Sequence, residues 1–300
     1  PVKEFRKRYK LTRASCLKHL VHALLKAYKE FGGKGKPHIG ILEFRQAFPG
    51  GDPGEFALLR DYFRQQGCET EMVHPDQLEY RSGVLRQGDF TINVIHRRVK
   101  VQEFLLRFDL SHPLVRAYRE GAVCVVNSFR AELAHKKALL DLLTDETITA
   151  RFPAAERHAI RTYIPWTRVV AQAKTTYQQT SVDLPEFILK NREKLLLRPN
   201  DNTAEQHTFR GWELDDAGWG RSLRLALRTP YVVQERVDAV RATFPVYRYG
   251  QLEMREMQVD LHPHAYLGKV HGCSSWLSTA GSGGFSTLAG PAPTFILESR

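Results

Sequence analysis

Between residues 15 and 127 the chain alternates amphipathic helices with short apolar strands, and this rhythm limits the fold more than any other feature. Leu17, Leu20, Val21, Leu24, Tyr28 and Phe31 recur at spacings of three and four, so residues 15–31 read as a helix with one buried stripe. Lys18, His19, Lys26 and Lys29 fill its other face, and Gly32-Gly33 stops it. HIGILEF (38–44) has the length and content of a buried strand. Asp52-Pro53-Gly54-Glu55 reads as a capping box, with Asp52 as cap, Pro53 in the first helical position and Glu55 reaching back. Leu58, Leu59, Tyr62 and Phe63 form the apolar face of the helix that follows, which ends at Gly67. Strands are then expected at ETEMVH, at residues 90–99 and at GAVCVVN (121–127). Strands separated by helices imply an α/β fold with a parallel sheet, which binds ligands beyond the carboxyl ends of its strands.

After Asn127 the texture becomes α+β. A helix is expected to carry His135, Lys136 and Lys137 with Leu133, Leu139, Leu140 and Leu143. Next come Ile164-Pro165-Trp166-Thr167-Arg168, a short helix capped by Asp183 and Glu186, and the strand KLLLRPN (194–200). A helix around residues 219–227 leads to the strand YVVQERV (231–237). Residues 244–278 alternate as long antiparallel strands do, and AGSGGFSTLAGP precedes a last strand at 294–297. No internal repeat is visible.

Composition narrows the function classes. The longest apolar run, near residues 122–126, is far short of the roughly 20 residues of a membrane-spanning helix. No apolar stretch closely follows the charged N-terminus, so no signal peptide is expected. Cys16, Cys68, Cys124 and Cys273 form no C-x-x-C pair, which argues against a cysteine zinc site and for small core residues in a reducing, cytoplasmic setting. The net charge is +11, but residues 1–36 hold eleven Lys/Arg against Glu4 and Glu30, so nine of those charges lie in one terminal segment. That distribution disfavours nucleic acid as the partner and fits a solvated basic arm or an acidic partner. Pro1 in place of Met is expected of a processed product or a fragment.

Several constellations compete for chemistry. FGGKGKPHIG (31–40) matches neither phosphate-binding glycine motif and precedes a strand rather than a helix. His262-Pro263-His264 offers metal ligands, but no third is local, and exposed histidines at a strand end are the simpler reading. Arg97 and Arg98 close a strand where α/β sheets place ligands; adjacent residues face opposite ways, so one can meet a carboxylate or phosphate. A Lys-bearing helix (Lys137), a strand ending Arg198-Pro199, a strand ending Gln234-Glu235-Arg236-Val237 and a glycine-rich tail could together serve a nucleotide.

In that order and spacing, INVIHRRV-x-x-x-EF (92–104), CVVNSFR with HKKALL, IPWTR, LLLRPN, PYVVQERV (230–237) and the stretch from Val259 to APTF (292–295) resemble the circularly permuted ATP-grasp family that includes glutathionylspermidine-synthase-like proteins. The resemblance implies a basic arm and helix over 1–36, a Rossmann-like pre-ATP-grasp domain over 37–127, and an ATP-grasp-like domain of two α+β subdomains over 128–300. It implies ATP as cofactor and ATP-dependent joining of a small carboxylate to an amine. Lys137 and Arg198 would meet phosphates, Gln234, Glu235, Arg236 and Val237 would form the adenine hinge, and Arg98 would contact substrate. Departures are internal. Arg198 replaces a lysine, Thr203-Ala204-Glu205-Gln206-His207-Thr208 replaces a glycine-rich lid, Trp276 replaces an arginine, and Leu288-Ala289-Gly290 replaces a second glycine run. The family's magnesium ligands, an Asp and a Glu-x-Asn, fall upstream of this segment, so magnesium is expected only if an upstream segment supplies them. The expectation is a ligase relative with impaired or absent turnover. The alternatives are a non-catalytic scaffold for a nucleotide or protein partner, or a basic nucleic-acid-binding module.

Overall fold

A computed structural model describes residues 7–12, 16–45, 54–201, 207–279, 289–292 and 294–299. The fold is mixed α/β and divides by contacts into two units, Pro1–Phe129 with Ala239–Arg300, and Arg130–Asp238. The first unit opens with β1 (Tyr9–Thr12), α1 (Cys16–Glu30), β2 (Ile39–Leu42), α2 (Glu55–Gln65) and β3 (Thr70–Val73). It continues with β4 (Glu79–Arg81), β5 (Val84–Gln87), β6 (Phe90–Ile92), β7 (Val94–Arg97), α3 (Val101–Leu105), α4 (Pro113–Arg119) and β8 (Cys124–Val126). Strands β3-β2-β7-β8 form the expected parallel sheet in that order, and β4-β5-β6 form an antiparallel meander.

Alternation along the parallel strands splits their side chains between two cores. Ile39, Ile41, Val94 and Cys124 pack with Val21 and Leu24 of α1 and Leu59 and Phe63 of α2. Leu42, Ile95 and Val125 pack with Phe104 of α3, Leu114 of α4 and Leu85 of the meander. The sheet is thus covered on both faces, which is why its strands are nearly continuous apolar runs.

The second unit contains α5 (Glu132–His135), α6 (Ala138–Thr144), α7 (Glu146–Thr149), α8 (Ala154–Tyr163), β9 (Thr167–Val169), β10 (Lys174–Tyr177) and β11 (Thr180–Asp183). Then come α9 (Leu184–Lys190), β12 (Leu195–Pro199), β13 (Phe209–Arg210), α10 (Asp216–Ala226) and β14 (Tyr231–Glu235). β13-β12-β14-β9 make one antiparallel sheet. Its core face carries Leu195, Leu197, Tyr231 and Val233 against Ile188 of α9 and Trp219 and Leu223 of α10. Asp183 caps α9 as expected, accepting from Glu186 N at 3.0 Å.

The chain then adds β15 (Arg241–Arg248), β16 (Gln251–Tyr266), β17 (Lys269–Ser278), β18 (Ala289–Ala292) and β19 (Ile296–Ser299). β15 to β18 form an antiparallel meander, and β16 and β17 contact α1. β19 pairs with β1, Tyr9 opposite Ser299. Residues 239–300, grouped in sequence with the ATP-grasp-like segment, therefore cluster with the first unit.

Several local expectations differ from the structure. The basic arm contains a strand, β1, rather than only solvated chain. Leu17 and Phe31 of the α1 stripe are exposed, because they lie where the helix runs past its core. The helix at Glu55 takes Gly54 as N-cap, without a side-chain cap, and Glu55 is its first residue rather than the return arm of a box. Asp52 and Pro53 lie outside the described residues. The strand expected over 90–99 is two strands, because Asn93 Oδ1 accepts from His38 N at 2.9 Å and the chain changes partner there. His262 and His264 lie within β16 rather than at its end, and His264 Nε2 lies 3.1 Å from Ser274 Oγ. Residues 203–206 of the lid segment and 280–288 of the glycine-rich tail lie outside the described residues. All four cysteines are free; Cys68 and Cys124 are buried, and Cys16 and Cys273 are half-buried. Among the described residues no helix is long and apolar enough to cross a membrane.

Candidate functional site

The candidate nucleotide residues gather on the second unit's antiparallel sheet. In β12, Leu196 and Arg198 alternate with the core-facing leucines, so they share the opposite face with Val232 and Gln234 of β14. Thr167 of β9 lies directly across from Gln234. Arg198 Nη1 donates to Gln234 Oε1 at 3.3 Å, and Gln234 Nε2 donates to Thr167 Oγ1 at 2.9 Å. The amide of Gln234 is buried, and both its ends are engaged.

Lys137 is brought to this face by Asn200, the residue after β12. Lys137 N donates to Asn200 O at 3.1 Å, and Ala138 N donates to Asn200 Oδ1 at 2.8 Å. Asn200 therefore caps α6 from a distant part of the chain, and the single helix expected through Lys136-Lys137 is split into α5 and α6. Burial, and after it the positive charge of Arg198, push the Lys137 ammonium below its usual pKa; Asp201 opposes them. Asp201 in turn pairs with Lys136. Three cations, Lys136, Lys137 and Arg198, and one carboxylate, Asp201, thus converge at the end of β12.

The expected hinge residues serve other partners. Glu235 N donates to Trp166 O at 2.9 Å, and the Glu235 carboxylate accepts from Trp166 N at 3.2 Å and from Tyr177 OH at 2.8 Å. Desolvation, then the hydrogen bond to Glu235, push the Tyr177 phenol up to about 12. Trp166, Tyr177 and Phe187 pack around this bond, with Tyr177 and Phe187 ring centroids 4.6 Å apart. Arg236 N donates to Lys194 O at 2.8 Å; its guanidinium donates to Asp238 Oδ1 at 2.9 Å and lies 4.6 Å from the Trp212 ring centroid. Val237 is exposed.

Arg168, quoted in IPWTR without a role, is a buried anchor. Its Nε donates to Thr175 Oγ1 at 2.8 Å, and its Nη1 donates to Thr144 Oγ1 at 2.9 Å and Thr167 O at 2.6 Å. Asp141 lies 3.6 Å from it and accepts from Val169 N at 2.9 Å. This knot ties α6 to β9 and fixes the strand that carries Thr167. Asn200 and Thr167 lay inside quoted motifs, but Tyr177 had no sequence signal, because the β10–β11 hairpin around it was not foreseen.

Arg98 belongs to the first unit. Its N donates to Leu42 O at 3.1 Å, placing it at the carboxyl ends of β2 and β7. β2 is followed by β3 on one side and by β7 on the other, so Arg98 marks the point where strand order reverses. Its Nη2 lies 3.5 Å from Glu55 Oε1, and its guanidinium lies 4.9 Å from the Phe56 ring centroid. Arg97 instead donates to Asn127 O at 3.0 Å and Val99 O at 2.7 Å.

Phosphate is matched by the donors at Lys137 and Arg198. No three His, Cys, Asp or Glu come together among the described residues; magnesium, which is held by one or two carboxylates together with phosphates and water, does not require such a cluster.

No protein-family model matches the chain, and no curated protein does. Among solved structures it is similar to a glutathione synthetase-like effector from Globodera pallida in its apo form. The TM-score is 0.48 and the identity 11%, covering 95% of this chain and 58% of the effector, so the chain spans little more than half the effector's length. It is also similar to a RimK-domain ATP-grasp protein from Sphaerobacter thermophilus, with a TM-score of 0.37 and 18% identity over 84% of this chain and 88% of that one.

Proposed function

We propose that this chain is an ATP-grasp-like protein, related to ATP-dependent carboxylate–amine ligases, that binds nucleotide phosphates at Lys137 and Arg198 with impaired or absent turnover. The observation that carries this reading is the juxtaposition of the two cations: burial first and the charge of Arg198 second depress the Lys137 pKa, Asp201 opposes them, and an anion beside both cations favours their charged forms. The ordered motifs from IPWTR to PYVVQERV add the family context. The Glu235 and Arg236 amides are used in the fold, so in this reading adenine falls to the exposed Val237 end of the hinge.

Engagement of the Glu235 carboxylate by Trp166 and Tyr177 favours the non-catalytic form of this reading, a nucleotide- or partner-binding scaffold. Each Glu235 oxygen accepts one hydrogen bond from the protein, so ribose hydroxyls would have to share a carboxylate already held in place.

Calorimetric titration of the full chain with a non-hydrolysable ATP analogue, with and without magnesium, tests the proposal. Micromolar binding is expected, with Lys137→Met and Arg198→Met each weakening it by about tenfold or more, as loss of a charge-assisted contact does. Absence of binding at millimolar nucleotide on a folded sample would overturn it. Amide formation from a carboxylate, an amine and ATP would overturn only the claim of impaired turnover.

A further inference from the structure

Within the first unit, α1 and the turn joining β16 to β17 border a groove of about 460 Å³ whose charged lining is entirely basic. Lys18, His22 and Lys26 stand at four-residue intervals along α1, so they form a row with about 6 Å of helix rise between neighbours. Lys269 and His271 line the groove from β17. The His19 and His271 rings stack with centroids 3.7 Å apart and planes 12° from parallel, and Tyr266 lies beyond His271 at 6.3 Å. Among the described residues no carboxylate pairs with Lys18 or Lys269, and Lys26 reaches only Glu30, at 3.7 Å, toward the end of the helix.

Such a cluster costs the fold repulsion unless an anion occupies it. His19 is held below its usual pKa, by desolvation first and then by the charges of His271, Lys18 and His22. Arg98 and the Cys16 thiol are the further titratable groups acting on Tyr266. An anion between the two walls removes the repulsion, so the His19 imidazole takes up a proton more readily once it is bound. The row of cations on α1 spans about 12 Å, longer than one phosphate and shorter than the footprint of a duplex.

We propose that this groove binds a linear oligophosphate, free or as the phosphate chain of a small molecule. This site is distinct from the Lys137 and Arg198 pair and stands independently of the function proposed for it.

The test is calorimetry on the full chain with inorganic tripolyphosphate, sulfate and a single-stranded oligothymidylate. Tripolyphosphate is expected to bind a Lys137→Met/Arg198→Met variant, in which the groove is the remaining phosphate site. Lys18→Gln/Lys269→Gln, which alters exposed side chains only, is expected to weaken it about tenfold or more. Because neighbouring charges hold His19 below its usual pKa, wild-type affinity is expected to rise several-fold from about pH 8 to about pH 6, and His19→Phe, which keeps the stacked ring but cannot charge, to flatten that rise. Unchanged affinity in Lys18→Gln/Lys269→Gln, or loss only in the Lys137 and Arg198 variant, would overturn the site. Equal affinity for sulfate would overturn the oligophosphate length, and tighter binding of the oligonucleotide would make the groove a nucleic-acid surface instead.

Discussion

Buried in β7 with neither ring nitrogen hydrogen-bonded, His96 is held neutral: burial first, then the charge of Arg98, lower its pKa to about 4. The unfolded chain protonates this residue near its ordinary value of about 6.5, while the folded chain does not until about pH 4. Between those values the unfolded state binds more protons, so stability rises with pH and is lost as pH falls through the window. By about pH 4.5 the loss is on the order of 2 kcal/mol relative to neutral pH. His96→Leu removes the titration, so urea unfolding at neutral pH and at pH 4.5 should show a smaller acid penalty for the variant by about that amount. An equal penalty in both proteins would mean that His96 opens to water before it charges. The position was legible as strand, but not as a titration anomaly, because burial on both sheet faces is a tertiary fact. Lys137 teaches the same lesson in the other direction. Its helix reads as continuous in sequence, and only Asn200, brought near by the fold, breaks it and sets the lysine beside Arg198.

At the scale of elements, the apolar periods of α1, α2, β2, β3 and β14 were enough to place them, because each buries one stripe or a short continuous run. Caps were legible only where the acceptor is local. Asp183 was foreseen and Asp215 was not, although Asp215 accepts from Gly218 N at 2.7 Å at the start of α10. That bond satisfies one of the helix's orphan donors, and Asp215→Ala should cost about 1 kcal/mol. Urea unfolding followed by tryptophan fluorescence checks it; a change within experimental error would show that water replaces the cap without loss. α10 also carries Trp219, fully buried and donating from Nε1 to Ile188 O at 2.9 Å, so this helix links the cap to the core of the second unit. The hairpin β10–β11 and the strands β4 and β5 of the meander carry no sequence signal, because strands of three or four residues at polar sequence have too little periodicity to register.

For the whole molecule, the return of residues 239–300 to the first unit was beyond local patterns, since it rests on β1 pairing with β19 and on α1 packing against β16 and β17. The two units have separate cores, and the four tryptophans are divided unequally between them. Trp166, Trp212 and Trp219 lie in the second unit, and Trp276 lies in the first. Trp276→Phe therefore makes tryptophan emission a report on the second unit alone, and Trp276 is partly exposed in β17, so the replacement disturbs little. A ligand that binds only the folded state stabilises it by about 2.7 kcal/mol at a hundred times its dissociation constant. In Trp276→Phe, an ATP analogue at that excess should raise the unfolding midpoint read by fluorescence, and adding Lys137→Met should cut the rise by about half or more, as a tenfold weaker site does. If the midpoint rises equally with and without Lys137, the phosphates are bound elsewhere and the second unit's cation pair serves only the fold.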